Sequence, residues 1–96
     1  MFVLVAYDIR TDSAAGQRRL RRIAKVCQAV GQRVQNSVFE CQVDEVQCLQ
    51  LVHQLRRTMH HADDNIRLYR LTALPADAIL QLGKGRAIDF TEPLIL

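Results

Sequence analysis

The sequence predicts an α+β sandwich of element order β-α-β-β-α-β, with two helices on one face of a four-stranded antiparallel sheet. Three observations predict it. An apolar, β-branched run opens the chain at residues 2–9. Two segments with a 3.6-residue apolar period follow, each preceded by a residue suited to cap a helix. Two further β-prone stretches lie between and after them.

The first strand, "FVLVAYDI", alternates Phe2, Leu4, Ala6 and Asp8 with Val3, Val5, Tyr7 and Ile9. Both sets are largely apolar, so both faces are expected to be covered, one by the chain's own helices and the other by a partner subunit. Phe2, Leu4, Ala6 and Asp8 are assigned to the face away from the helices. Thr11, Asp12 and Ser13 offer N-caps for a helix to about Ala29, with Gly16, Leu20, Ile23, Ala24, Cys27 and Val30 on one apolar stripe. Gly31 is expected at its C-terminal stop.

The runs "QRVQ" and "SVFECQV", joined around Asn36, read as a hairpin. In it Phe39, Cys41 and Val43 face opposite to Val38, Glu40 and Gln42. Asp44 then caps a second helix, with Gln47 placed for a capping box. Cys48, Leu51, Val52, Leu55 and Met59 form its narrow apolar seam, and "HHADDN" ends it. "IRLYRL" is the fourth strand, which completes the split βαβ, or ferredoxin-like, plan. After Pro75 a tail remains: a short apolar segment at 79–82, a "GKGR" turn and a further strand in "AIDFTEPLIL", where Pro93 suits an edge. One domain spanning 1–96 is expected, with the tail from about residue 75 at a subunit interface.

Hydrophobic residues make up 49% of the 96 positions, which excludes a disordered chain, and no apolar run reaches the roughly 18 residues of a membrane span. Asp8 and Arg10 interrupt the N-terminal run before it could serve as a secretory signal, so the expected compartment is the cytoplasm. Cys27, Cys41 and Cys48 show no C-x-x-C spacing and fall on apolar faces, as core residues do. His53 and His60 are placed on the outer face of the second helix, without the spacing of a zinc pair. Ser13 and Ser37 have no histidine or acid arranged to activate them.

Charge is distributed unevenly. The net charge is +3, and five of the 13 Lys and Arg residues lie between Arg18 and Lys25. Arg18, Arg21, Arg22 and Lys25 cluster opposite the apolar stripe, with Arg19 on its flank; Arg33 lies beyond the helix. A basic helix face is often only solvated. Here, however, no acid stands between Ser13 and Phe39 to pair with these cations, and repelling charges on successive turns favour a polyanionic partner. Asp8 admits two readings from the residues alone. It is a turn acid or a partner for Arg10, or else a ligand for a hard cation such as Mg²⁺, completed by a second copy across a two-fold axis.

Together, "VLVAYDIRTD", "GQRRLRRIAKVC" and "GQRVQNSVFEC" resemble the small CRISPR-associated adaptation endonuclease family, Cas2, over at least residues 3–43. The resemblance implies a ferredoxin-like homodimer with facing sheets and an extra C-terminal strand packed on the partner. It implies that Asp8 from each subunit approaches a shared Mg²⁺ and is catalytic. It also implies that Arg18, Arg19, Arg21, Arg22, Lys25 and Arg33 line a duplex-binding surface. Phe39 sits at an aromatic position of the family and reads as core. Two activities follow from the resemblance: metal-dependent cleavage of RNA or double-stranded DNA, and bridging of the CRISPR integrase while duplex DNA is held.

Two alternatives share the fold. A toxin-type endoribonuclease would arrest growth on expression. An RNA-binding module would need exposed aromatics on its central strands, and "NSVFECQV" offers only Phe39.

Overall fold

The computed structural model describes residues 1–73, 75 and 77–84. Its elements run β1 (Phe2–Asp8), α1 (Ala14–Gln28), β2 (Gly31–Gln35), β3 (Val38–Gln42), α2 (Glu45–Thr58) and β4 (Asn65–Leu71). The four strands form one sheet in the order β2-β3-β1-β4. All pairings are antiparallel, as the ferredoxin-like plan requires.

β1 occupies an inner position because it is apolar on both faces. Val3, Val5, Tyr7 and Ile9 are buried beneath the helices together with Phe39, Cys41 and Val43. α1 contributes Ile23 and Cys27 to this core, and α2 contributes Cys48, Leu51 and Leu55. Fully burying one such aliphatic side chain stabilises the fold by about 1.5–3 kcal/mol, far more than exposed ion pairs such as Arg70–Glu45. The core therefore fixes how the helices sit on the sheet, and their outer faces remain available for other work.

Local chemistry sets the helix ends. Ser13 caps α1, its hydroxyl accepting a hydrogen bond from the Gly16 N–H at 3.0 Å. Asp44 and Gln47 form the reciprocal capping box on α2, at 2.7 and 2.9 Å. The C-terminus of α1 differs from expectation. Ala29, in right-handed conformation, is the cap, and Gly31 already belongs to β2. Gly31 is required for space: a Cβ there would meet the Glu40 carbonyl and the Cys41 side chain across the ladder. His60 also lies off the helix, in the turn after α2, where its Nδ1 is 3.2 Å from Asp63.

The second sheet face carries Leu4, Ala6 and Asp8 from β1, opposite Glu40 and Val38 of β3 and Tyr69, Arg67 and Asn65 of β4. No helix covers it among the described residues, and Tyr69 and Leu71 are 45% and 43% exposed. Ile79–Leu82 is in no helix or strand. The expected strand in 87–96 and the end of the "GKGR" turn lie outside the described residues. Among the described residues, no helix is long and apolar enough to cross a membrane.

Candidate nucleic-acid interface

β1 carries Asp8 to the edge of the uncovered sheet face as its last residue, paired in register with Asn65. Its carboxylate is exposed and makes no hydrogen bond or ion pair among the described residues. Arg10 is not its partner. The Arg10 guanidinium reaches Asp12 at 2.9 Å and Asp63 at 3.5 Å instead. Asp8 is thus a free oxygen donor at a strand end, of the type that a hard cation takes. Among the described residues no group of three or more acidic, His or Cys side chains could hold a metal, and Asp8 stands without a second carboxylate bonded to it. The donor type fits the ion; a single carboxylate leaves most of the ion's coordination to water or to other donors.

Beside Asp8, the loops at this end of the sheet are tied together by Asp64, whose side chain is fully buried. One oxygen accepts from the Arg19 Nε at 2.8 Å and the His60 N–H at 2.9 Å. The other accepts from the Arg10 N–H at 3.1 Å and the Arg19 guanidinium at 3.3 Å. Burial pushes the Asp64 carboxyl up. The hydrogen bonds from Arg19, His60 and Arg10 outweigh it and hold the carboxyl at about 2. Gly16 reinforces this corner, since a Cβ there would collide with the Arg10 carbonyl. The β1–α1 turn, the first half of α1 and the α2–β4 turn are consequently one unit.

The basic residues of α1 divide into two groups. Arg18, Arg21, Arg22 and Lys25 are exposed and form no ion pair among the described residues. They make a continuous cationic face. Arg19 departs from them: its guanidinium is committed to Asp64 and its side chain is only 17% exposed. Its role in the structure is to fasten the helix. Arg33 stands on β2, the edge strand against which α1 packs, with its guanidinium 5.2 Å from the centre of the Phe39 ring. Phe39 itself is core, 1% exposed, stacked against Tyr7 with ring centroids 6.2 Å apart.

Two contributors escape a reading of the sequence. Asp64 lies in "HHADDN", where only the helix break is visible, and its partner Arg19 is distant in the chain. Arg57 sits in the last turn of α2, where a cation normally complements the helix dipole. The fold brings it beside Arg22, in the groove between the helices. The apolar period of α2 is the only signal in the sequence that it lies near α1.

A ferredoxin-like sheet with one helix presenting a row of cations unpaired among the described residues, and an unpartnered aspartate at the end of its first strand, defines a small α+β protein. The comparisons make this specific: the family model described as "CRISPR associated protein Cas2" matches residues 1–75, and the chain belongs to the Cas2 family. It is 45% identical to the CRISPR-associated endoribonuclease Cas2 1 of Moorella thermoacetica, over 100% of both chains. It is 55% identical to the CRISPR-associated endoribonuclease Cas2 of Chlorobaculum tepidum, again over 100% of both. A crystal structure of Streptococcus pyogenes Cas2 superimposes with a TM-score of 0.77 at 43% identity, covering 86% of this chain and 100% of that one.

Proposed function

We propose that this protein is a subunit for acquiring CRISPR spacers: a homodimer that holds duplex DNA on the cationic face of α1 and bridges the CRISPR integrase. The observation that carries this reading is the row Arg18, Arg21, Arg22 and Lys25, exposed and without carboxylate partners among the described residues in a chain of this family. Self-repelling cations on successive helix turns are stabilised by the closely spaced charges of a phosphate backbone. The uncovered sheet face, with Leu4, Ala6, Tyr69 and Leu71, supports dimerisation through facing sheets.

A second activity is favoured by Asp8. Relatives of this chain are described as endonucleases or endoribonucleases, and Asp8 stands free where two copies could share an ion. In that arrangement Asp8 from each subunit would hold Mg²⁺, which would supply charge stabilisation and water activation at a phosphodiester. The substrate class is RNA or double-stranded DNA. Holding and cutting then reside on different residues.

The test of holding is the affinity for a duplex across a salt series, with and without the integrase. Replacing Arg18, Arg21 and Lys25 by alanine should weaken binding and flatten the salt dependence by about 0.9 for each phosphate no longer neutralised. Unchanged affinity and slope would remove Arg18, Arg21 and Lys25 from the interface and end this reading.

A further inference from the structure

We propose that the groove between α1 and α2 is a phosphate-binding site, with Arg22 and Arg57 as its cationic walls and the Gln54 amide as a further donor. The groove is open to solvent, has a volume of about 290 Å³ and is lined by Arg22, Val26, Gln54, Arg57 and Thr58. Its volume falls just short of the roughly 300–1,000 Å³ of small-molecule pockets, a size for one small anion and not for a larger ligand.

The lining contains two guanidinium groups and no carboxylate. Neither arginine forms an ion pair among the described residues. Arg57 is partly accounted for by the C-terminal carbonyls of α2, which favour a nearby cation. Arg22 has no such compensation. It lies in the middle of α1, four residues after Arg18 and three before Lys25, so its intrahelical neighbours on that face repel it. Bringing it into one cleft with Arg57 adds further repulsion. An anion between the two walls reverses the sign of that term.

The shape favours an oxyanion with several acceptor oxygens. Guanidinium groups donate in planar forks that match phosphate oxygens, so two arginines lining one groove can engage different oxygens of one group. The Thr58 hydroxyl already donates to the Gln54 carbonyl at 2.8 Å, which leaves the Gln54 side-chain amide as the neutral donor. Half-buried Val26 supplies an apolar wall that lowers the competition from water. The phosphate can belong to a nucleic-acid backbone, extending the α1 face onto α2, or to a small phosphate compound. The first source rests on the duplex-holding reading above; the site itself does not.

Two measurements separate these. The arginine Nε–Hε resonances of the full chain would be followed during titration with inorganic phosphate, against chloride at equal ionic strength. The Arg22 and Arg57 signals should move together while those of Arg18 and Arg21 stay, and Arg57→Ala should abolish the Arg22 response. Duplex binding by Arg57→Ala, compared across salt, should fall with a slope reduced by about 0.9 if the source is a backbone phosphate. A phosphate response with unchanged duplex binding assigns the groove to small phosphate compounds. Absence of any Arg22 or Arg57 response to both phosphate and duplex overturns the proposal, as does an Arg22 response that persists in Arg57→Ala. Because the triple variant of Arg18, Arg21 and Lys25 spares the groove, its result judges the α1 reading separately.

Discussion

Arg19 and Asp64, separated by 45 positions in the chain, are joined by two hydrogen bonds at 2.8 and 3.3 Å, and the carboxylate is wholly buried. With the backbone N–H groups of Arg10 and His60, Asp64 receives four hydrogen bonds and leaves no oxygen unsatisfied. This contact locks α1 against the turn that precedes β4 and so holds the end of β1 from which Asp8 projects.

Removing Asp64 should therefore destabilise the fold more than removing any exposed charge. Asp64→Ala strands two backbone donors and a guanidinium, and is expected to cost on the order of 3 kcal/mol in urea unfolding. The pH dependence has a definite sign. The folded carboxyl is held at about 2, below the roughly 3.9 of an unfolded aspartate, so its contribution is present above that unfolded value. It is lost as pH falls from about 4 towards 2. The stability gap between the natural chain and Asp64→Asn should close across that window. A gap that is constant with pH would show that the carboxylate is not held ionised by these partners.

The same contact marks the limit of what the sequence discloses. Period and capping are local properties, so β1, both helices and the Asp44–Gln47 box are legible from neighbouring residues. Alternation alone groups Val3, Val5 and Tyr7 on one face and Phe39 and Cys41 on another, and the structure packs the two sets together under the helices. Arg19 could be placed on the flank of the basic face, but its removal from that face depends on a distant acid. Gly31 similarly looks like a helix stop because it follows Val30, the last residue of the apolar stripe read from the sequence. Its true constraint is a neighbouring strand, which no local pattern reveals.

That constraint is measurable. In Gly31→Ala the new methyl group meets the Glu40 carbonyl and lies 2.6 Å from the Cys41 Sγ, and the backbone of a paired strand cannot easily give way. A loss of about 1–3 kcal/mol is expected from overpacking, read as a lower urea midpoint. Gly83, at φ 78° with open space around it, should respond only through backbone preference. Equal stability of Gly31→Ala and the natural chain would contradict the close approach of β2 to β3.

The cysteines provide a test of the core. Burial pushes the Cys27 thiol up to about 12, with Cys41 reinforcing it, and the Cys41 thiol up to about 11. Thiolate is the reactive form, so both should resist a disulfide reagent near pH 8 until the chain unfolds. Cys48, 3% exposed, should be protected by lack of access. The kinetics would be followed by thiol titration with and without denaturant. Rapid labelling of Cys27 in the native protein would mean that α1 lifts from the sheet.

A single variant at Asp8 tests whether the proposed holding and cutting are separate. Its side chain is exposed and unpartnered among the described residues, so Asp8→Asn should leave stability within about 0.5 kcal/mol of the natural chain. It should also leave duplex affinity intact, because the cations of α1 do not depend on it. Mg²⁺-dependent cleavage of RNA or duplex DNA should fall on the order of 100-fold, since each active site would lose both of its carboxylates through the two-fold axis. Chelation of Mg²⁺ by EDTA should abolish cleavage by the natural protein to the same level. The assay pairs gel-resolved cleavage with duplex anisotropy on the same preparations. Wild-type cleavage by Asp8→Asn, or cleavage that survives EDTA, would exclude Asp8 as the metal-holding group, whereas loss of duplex binding alone would show that the two functions are not separate.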